Sequence, residues 1–144
     1  MIVKADIKNA KTVANLAVNM WPSHTIGELT ADFEQVITDN NSVVFLYCIE
    51  ENAIGFAQCQ LRFDYVEGTD SSPVGYLEGI YIAEEFRHRG YGKMLLRACE
   101  QWTVEHGCKE FASDCELDNA QSLSFHLHSG FDEVNRIICF VKKL

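Results

Sequence analysis

The sequence predicts an α/β (α+β) domain built on a mixed, mostly antiparallel central sheet with helices on both faces. Three observations carry this reading. Two long β-rich stretches, Ser42 to Glu50 and Ala53 to Val66, are joined only by Glu51-Asn52 and read as an antiparallel hairpin. A third, Val74 to Ile82, runs through a glycine-bearing turn, Arg87 to Gly92, into a strongly amphipathic helix. A short strand, a short helix and a final β-rich stretch then alternate, which adds β-α-β-α to a run of antiparallel strands.

The elements follow in order. Met1 to Asp6 reads as a short strand leading directly into a helix. Ala10, Val13, Ala17 and Met20 recur at helical spacing behind Asn9, and Trp21-Pro22 closes that helix because the residue before a proline avoids the helical region. Thr25 and Glu28 have the spacing of a capping box, after which Leu29, Phe33, Val36 and Ile37 supply one apolar face. Beyond the hairpin, the polar turn Glu67–Pro73 leads to the glycine-broken strand Val74–Ile82, which carries one carboxylate, Glu78, in its middle. Leu95, Ala98, Cys99 and Trp102 share one side of the next helix, which ends near Gly107. Lys109 to Asp114 is a short strand, Asn119 to His128 a helix stopped by Ser129-Gly130, and Phe131 to Leu144 carries β-type residues.

With 144 residues, no internal repeat and no linker-like tract, residues 1–144 are expected to form a single domain. No apolar run approaches the roughly 20 residues that span a bilayer, and the N-terminus lacks the form of a secretory signal, so the expected location is cytoplasmic. The six cysteines are widely spaced with no C-x-x-C pair, which argues against zinc and for reduced thiols acting as small hydrophobes. No metal site is expected. A formal charge of −9 disfavours nucleic acid and anionic membrane as partners and favours a cationic one, although an acidic surface also serves solubility.

The chemistry-bearing feature is the turn between strand and helix. Gly90 and Gly92 remove side chains where backbone N–H groups can approach a phosphate, and the helix N-terminus adds partial positive charge. Such a turn also serves simple tight geometry. Absence of a lysine-serine pair after it, and its place after an internal strand, disfavour P-loop and dinucleotide-binding readings.

Arg87-x-x-Gly90-x-Gly92, with its preceding strand, following helix and terminal Gly130-Phe131, resembles the phosphate loop of the GNAT N-acetyltransferases, and the likeness in element order covers the whole chain. The resemblance implies acetyl-CoA as co-substrate and a splay between strands 4 and 5 that receives its pantetheine arm. Ile80, Tyr81 and Ile82 would hold pantetheine and the acetyl carbonyl. His88, Arg89, Gly90, Tyr91, Gly92 and Lys93 would surround the pyrophosphate, and Asn119 would contact pantetheine or act as an ordinary N-cap. Phe63–Thr69, Ser72–Tyr81, Phe111–Asp114 and Leu117–Asn119 are similar, more narrowly, to the short bacterial aminoglycoside 6′-N-acetyltransferases. This likeness implies an aminoglycoside acceptor and, through terminal strands pairing across a two-fold axis, a homodimer.

Transfer of an acetyl group to an amine by direct attack needs a base, a donor to the oxyanion and a proton for the departing thiolate. Glu78 and Asp114 are the candidate carboxylates for binding the ammonium and accepting its proton. Shared parity with Tyr76 and Ile80 predicts that Glu78 is partly enclosed; the alternative is a side chain pointing to solvent. The backbone N–H of Ile80 or a neighbour is the candidate oxyanion donor. His126 occupies the position of the family's tyrosine before Gly-Phe and is a candidate acid, or else a helix residue bonded to a backbone carbonyl. Trp21, His24 and Tyr65 are the candidate acceptor wall, with Trp21 equally suited to the core, and Asn135 stands where some relatives carry an acid. Competing acceptors are a polyamine or a protein N-terminus; the competing class is a non-catalytic acyl-CoA-binding module.

Overall fold

The computed structural model describes residues 1–144. Five strands form one sheet in sequence order: β1 (Ile2–Lys4), β2 (Ser42–Ile49), β3 (Asn52–Arg62), β4 (Val74–Ile82) and β5 (Phe111–Ser113). The first three pairings are antiparallel and β4 pairs with β5 in parallel. Four helices accompany them: α1 (Ala10–Ala17), α2 (Ile26–Thr38), α3 (Tyr91–Glu105) and α4 (Ala120–His128).

Local signals in the sequence act as expected. Asp6 and Asn9 close a capping box over a single 3₁₀ turn, and Thr25 and Glu28 close another at the start of α2, each satisfying backbone donors that a helix start leaves free. α3 ends at a left-handed glycine, Gly107. No helix is long and apolar enough to cross a membrane.

Both faces of the sheet are covered, so successive residues of β2 are buried on opposite sides. Val44, Leu46 and Phe56 pack against Val13, Ala14 and Ala17 of α1 and Leu29 and Phe33 of α2. Val43, Cys59 and Leu77 pack on the other side against Leu95, Cys99 and Trp102 of α3. At about 25 cal/mol per Å² of apolar surface removed from water, these two layers are the main stabilising term.

Two expectations need correction. β3 ends at Arg62 rather than Val66, because the chain turns away into the β3–β4 loop, where Val66 packs on Val74 and Tyr76. The β-type residues after Phe131 form no strand. Phe131 packs against Phe111, Val134 touches Gly68 and Asn135 donates to Glu67; beyond them Ile137, Ile138, Phe140 and Val141 lie exposed with no neighbouring strand. β propensity alone does not make a strand, since its N–H and C=O groups need a partner ladder. For the same reason Cys139 is exposed, as is Cys115, whereas Cys59, Cys99 and Cys108 are buried as expected; all six are free thiols.

Candidate active site

The site begins where the sheet opens. β4 pairs with β5 only over Gly75–Leu77, so from Glu78 to Ile82 its outer edge faces no strand. A groove of about 590 Å³ lies along this edge, floored by Ile80, Tyr81 and Ile82 and bordered by α4 through Asn119, Ser122 and Phe125. Its far end is the turn into α3, where His88, Gly90, Tyr91, Gly92 and Lys93 line it. Arg89 belongs to the same turn but sends a guanidinium nitrogen back to the Glu85 carbonyl.

This turn has the form of an anion cradle in its backbone as well as its sequence. His88 and Gly90 both have left-handed φ, 62° and 85°. None of the N–H groups from His88 to Lys93 donates to any acceptor in the protein, since backbone bonding resumes at Met94, which donates to Gly90. Free amides at the positive end of a helix are what a diphosphate requires. A Cβ on Gly92 would stand 3.2 Å from the Phe125 ring, so the glycine keeps the groove open beside α4. Arg87 pins the turn to the strand, its Nε donating to the Ile82 carbonyl at 2.8 Å. The donor set therefore fits the phosphates and pantetheine of coenzyme A. Asn119 caps α4 by accepting from the Ser122 amide at 3.0 Å through Oδ1, which leaves its amide nitrogen free beside the groove.

The bulge in β4 builds the other half of the site. Gln58 is opposite Gly79 and Cys59 opposite Leu77, so Glu78 is the extra residue. Parity is broken there: Leu77 and Ile80 pack on the α3 side together, while Tyr76 and Glu78 share the opposite face. Parity with Ile80 therefore does not explain the partial enclosure of Glu78. Its carboxylate is instead held by Arg62, which sequence reasoning missed. Arg62 Nε donates to Oε1 at 3.0 Å, and Nη2 donates to Oε1 and Oε2 at 2.9 and 3.0 Å. The same guanidinium lies 3.4 Å over the centre of the Tyr76 ring. The Tyr76 hydroxyl donates to Asp114 Oδ2, just past the end of β5. Burial, then the bond to Asp114, raise the Tyr76 pKa well above the ordinary tyrosine value. Glu78 and Asp114 are thus brought together, linked through Arg62 and Tyr76.

The remaining candidates sit as follows. Trp21 packs its ring on Phe33 and Phe56, as the core reading expects, and its edge would meet a Cβ on Gly79 at 3.1 Å. With His24, Asp32 and Gln58 it lines a smaller cavity of about 260 Å³. His24 stands 3.6 Å from Glu28. Tyr65 is largely exposed on the β3–β4 loop, because only Val66 beside it turns into the protein, and it forms no wall of either cavity. Asn135 donates to Glu67 at 3.0 Å at the margin of the same loop.

His126 does not line the groove. Nδ1 is 2.7 Å from the Ser122 carbonyl and so carries a proton, while Nε2 is 2.8 Å from Ser113 Oγ, itself 3.3 Å from the Leu77 carbonyl. The carbonyl-bonded alternative is what the ring adopts, and it reaches the splay only through Ser113. His128 lines the groove in its place, on the helix face shared with Ser124 and Gln121. No three His, Cys, Asp or Glu side chains gather as a metal site.

A splayed β4, free amides at the next helix start and paired carboxylates at the bulge define an acyl-CoA-dependent transferase. The sequence profile of the acetyltransferase (GNAT) family matches residues 11–131, and the chain belongs to that family. It is 39% identical over 128 residues to an aminoglycoside N(6′)-acetyltransferase type 1 of Salmonella typhimurium, covering 89% of this chain and 88% of that one. Identity to the protein of the same name from Stenotrophomonas maltophilia is 39% over 142 residues, or 96% and 90% of the two chains. Among solved structures it superposes on AAC(6′)-Iy in complex with CoA with a TM-score of 0.96 at 35% identity, covering all of this chain and 95% of that one. The apo aminoglycoside 6′-N-acetyltransferase AAC(6′)-IG from Acinetobacter haemolyticus gives 0.94 at 34%, with 100% and 99% covered.

Proposed function

We propose that the protein transfers the acetyl group of acetyl-CoA to the 6′-amine of aminoglycoside antibiotics by direct attack, an activity that confers resistance. The observation that carries this reading is the meeting, at the β4 bulge, of an open strand edge with a face holding Glu78 and Asp114. Support for the acceptor comes from the relatives named aminoglycoside N(6′)-acetyltransferase and from the solved complex of AAC(6′)-Iy with the bisubstrate analogue CoA-S-monomethyl-acetylneamine, at 35% identity and a TM-score of 0.95.

Acetyl-CoA supplies the activated thioester. The free amides from His88 to Lys93 hold its phosphates, and Ile80, Tyr81, Ile82 and Asn119 orient the pantetheine arm along β4. Glu78 and Asp114 draw in the ammonium, and one of them accepts its proton, directly or through water. A backbone N–H near Ile80 donates to the carbonyl oxygen as it becomes negative. In its imidazolium form, protonated from water, His126 gives its Nε2 proton to the Ser113 hydroxyl, which passes its own toward the sulfur, and the ring is left neutral with Nδ1 still donating to the Ser122 carbonyl. Trp21 and His24 bound the acceptor strip at one end, beside Gly79; at the other, where Val66 packs on Tyr76, the exposed Tyr65 and Asn135 would meet an acceptor from the surface rather than wall it in.

The reading includes a homodimer, supported by five large apolar residues left exposed after Asn135 and by the free edge of β5, which a second copy of this segment can cover. It also locates the enzyme in the cytosol, whose reducing conditions suit six free thiols. A thiol-release assay across an amine panel tests the acceptor: turnover of kanamycin and tobramycin is expected, and turnover of spermidine or an N-terminal peptide alone would overturn it. Binding of acetyl-CoA with no turnover of any amine, unchanged by loss of Glu78 and Asp114, would mark a non-catalytic module.

A further inference from the structure

Arg62 is the only cation within ion-pair reach of either candidate carboxylate. It comes from the last position of β3, opposite Val74, and reaches along the sheet face to the bulge. All its contacts converge: three hydrogen bonds to Glu78 and a stacked approach to Tyr76, the residue that in turn donates to Asp114. Glu78 has both oxygens committed to the guanidinium, whereas Asp114 lies at the surface with Oδ1 unbonded. An arriving ammonium therefore finds Asp114 available and Glu78 already paired.

We propose that Arg62 is a positioning residue that fixes Glu78 and holds the acceptor cleft at one net negative charge, low enough for a bound ammonium to surrender its proton. This rests on the acetyltransferase reading above. Two unpaired carboxylates would bind an ammonium strongly but would also raise its pKa, and a protonated amine has no lone pair with which to attack. Two carboxylates against one guanidinium still attract the cation, yet hold its proton less firmly. The proton passes from the ammonium to Asp114, leaving a neutral amine and a carboxylic acid that returns it to water. The guanidinium grips both oxygens and stacks on Tyr76, but what the role requires of it is the fixed positive charge.

Steady-state kinetics on Arg62→Gln, Arg62→Lys and Glu78→Gln, with kanamycin as acceptor, test this. Arg62→Gln is expected to leave the acceptor KM unchanged or lower while kcat falls about tenfold or more, since ground-state binding is kept and deprotonation is lost. Arg62→Lys keeps the charge and should recover most of that kcat. Glu78→Gln removes the opposite charge and should raise the acceptor KM. A merely structural ion pair would give the same sign of KM change for Arg62→Gln and Glu78→Gln, and no rescue by lysine; either result overturns the proposal. Were Arg62→Gln not recovered folded, Arg62→Lys with near-native kcat beside Glu78→Gln with raised KM would still support it, and impaired kcat in Arg62→Lys would refute it. A wild-type enzyme that acetylates no aminoglycoside sinks the proposed function itself; active wild type with KM values moving together sinks only this inference.

Discussion

Tyr76 donates its hydroxyl hydrogen to Asp114 from the strand next to the one that Asp114 follows, so the carboxylate is held at the mouth of the splay by a neighbour rather than by its own element. Asp114→Asn should therefore keep the fold and lower kcat/KM for an aminoglycoside by about a hundredfold, as expected for loss of a proton acceptor. Activity within a few-fold of wild type would remove Asp114 from the mechanism.

The same bond gives a pH signature. Burial and the Asp114 carboxylate raise the Tyr76 pKa above the ordinary value of 10, so above pH 10 the unfolded chain releases this proton while the folded protein keeps it. Its contribution to stability is full below that pH and is lost as pH rises toward the folded value. Urea midpoints at pH 8 and pH 11 should fall further in wild type than in Tyr76→Phe; equal losses would show that the hydroxyl is not held this way.

Gly92 faces the Phe125 ring closely enough that any added side chain narrows the groove. Gly92→Val is expected to raise the KM for acetyl-CoA about tenfold, near 1.4 kcal/mol, with the acceptor KM little changed. Calorimetry with coenzyme A checks the loss directly, and undiminished affinity would place the phosphates elsewhere.

His126 has no direct access to the groove, so its role depends on Ser113. His126→Ala and Ser113→Ala should each reduce kcat about a hundredfold at neutral pH if the proton travels this way. Intact turnover in both would assign the thiolate proton to water or to the ammonium.

Phe140 and Ile138 are almost fully exposed in the single chain. Phe140→Asp should convert a dimer into a monomer in sedimentation-velocity experiments, and a wild-type protein that sediments as a monomer would contradict the dimer.

Much of this architecture is legible in the sequence because it depends on local rules. The Thr25–Glu28 capping box, the β2–β3 hairpin, whose turn falls at Glu50-Glu51, one residue before the expected Glu51-Asn52, and the glycine turn before α3 each need only neighbours within a few residues. The carboxylates Glu78 and Asp114 were also within reach, as isolated acids near strand ends. Arg62 was not, because its role depends on a bulge between Leu77 and Gly79 that strict alternation cannot register, and on the long reach of a guanidinium across that face. A lone basic residue ending a strand in an acidic chain was the available signal. The stretch after Phe131 shows the converse: β-type residues with nothing to pair with remain an exposed segment.

The central claim is met most directly by mapping the product. Incubation with acetyl-CoA and kanamycin, followed by NMR of the acetylated antibiotic, is predicted to show one acetyl group on the 6′-nitrogen and none when a hydroxyl replaces that amine. Acetylation at another amine, or of the 6′-hydroxy analogue at an equal rate, would contradict the account.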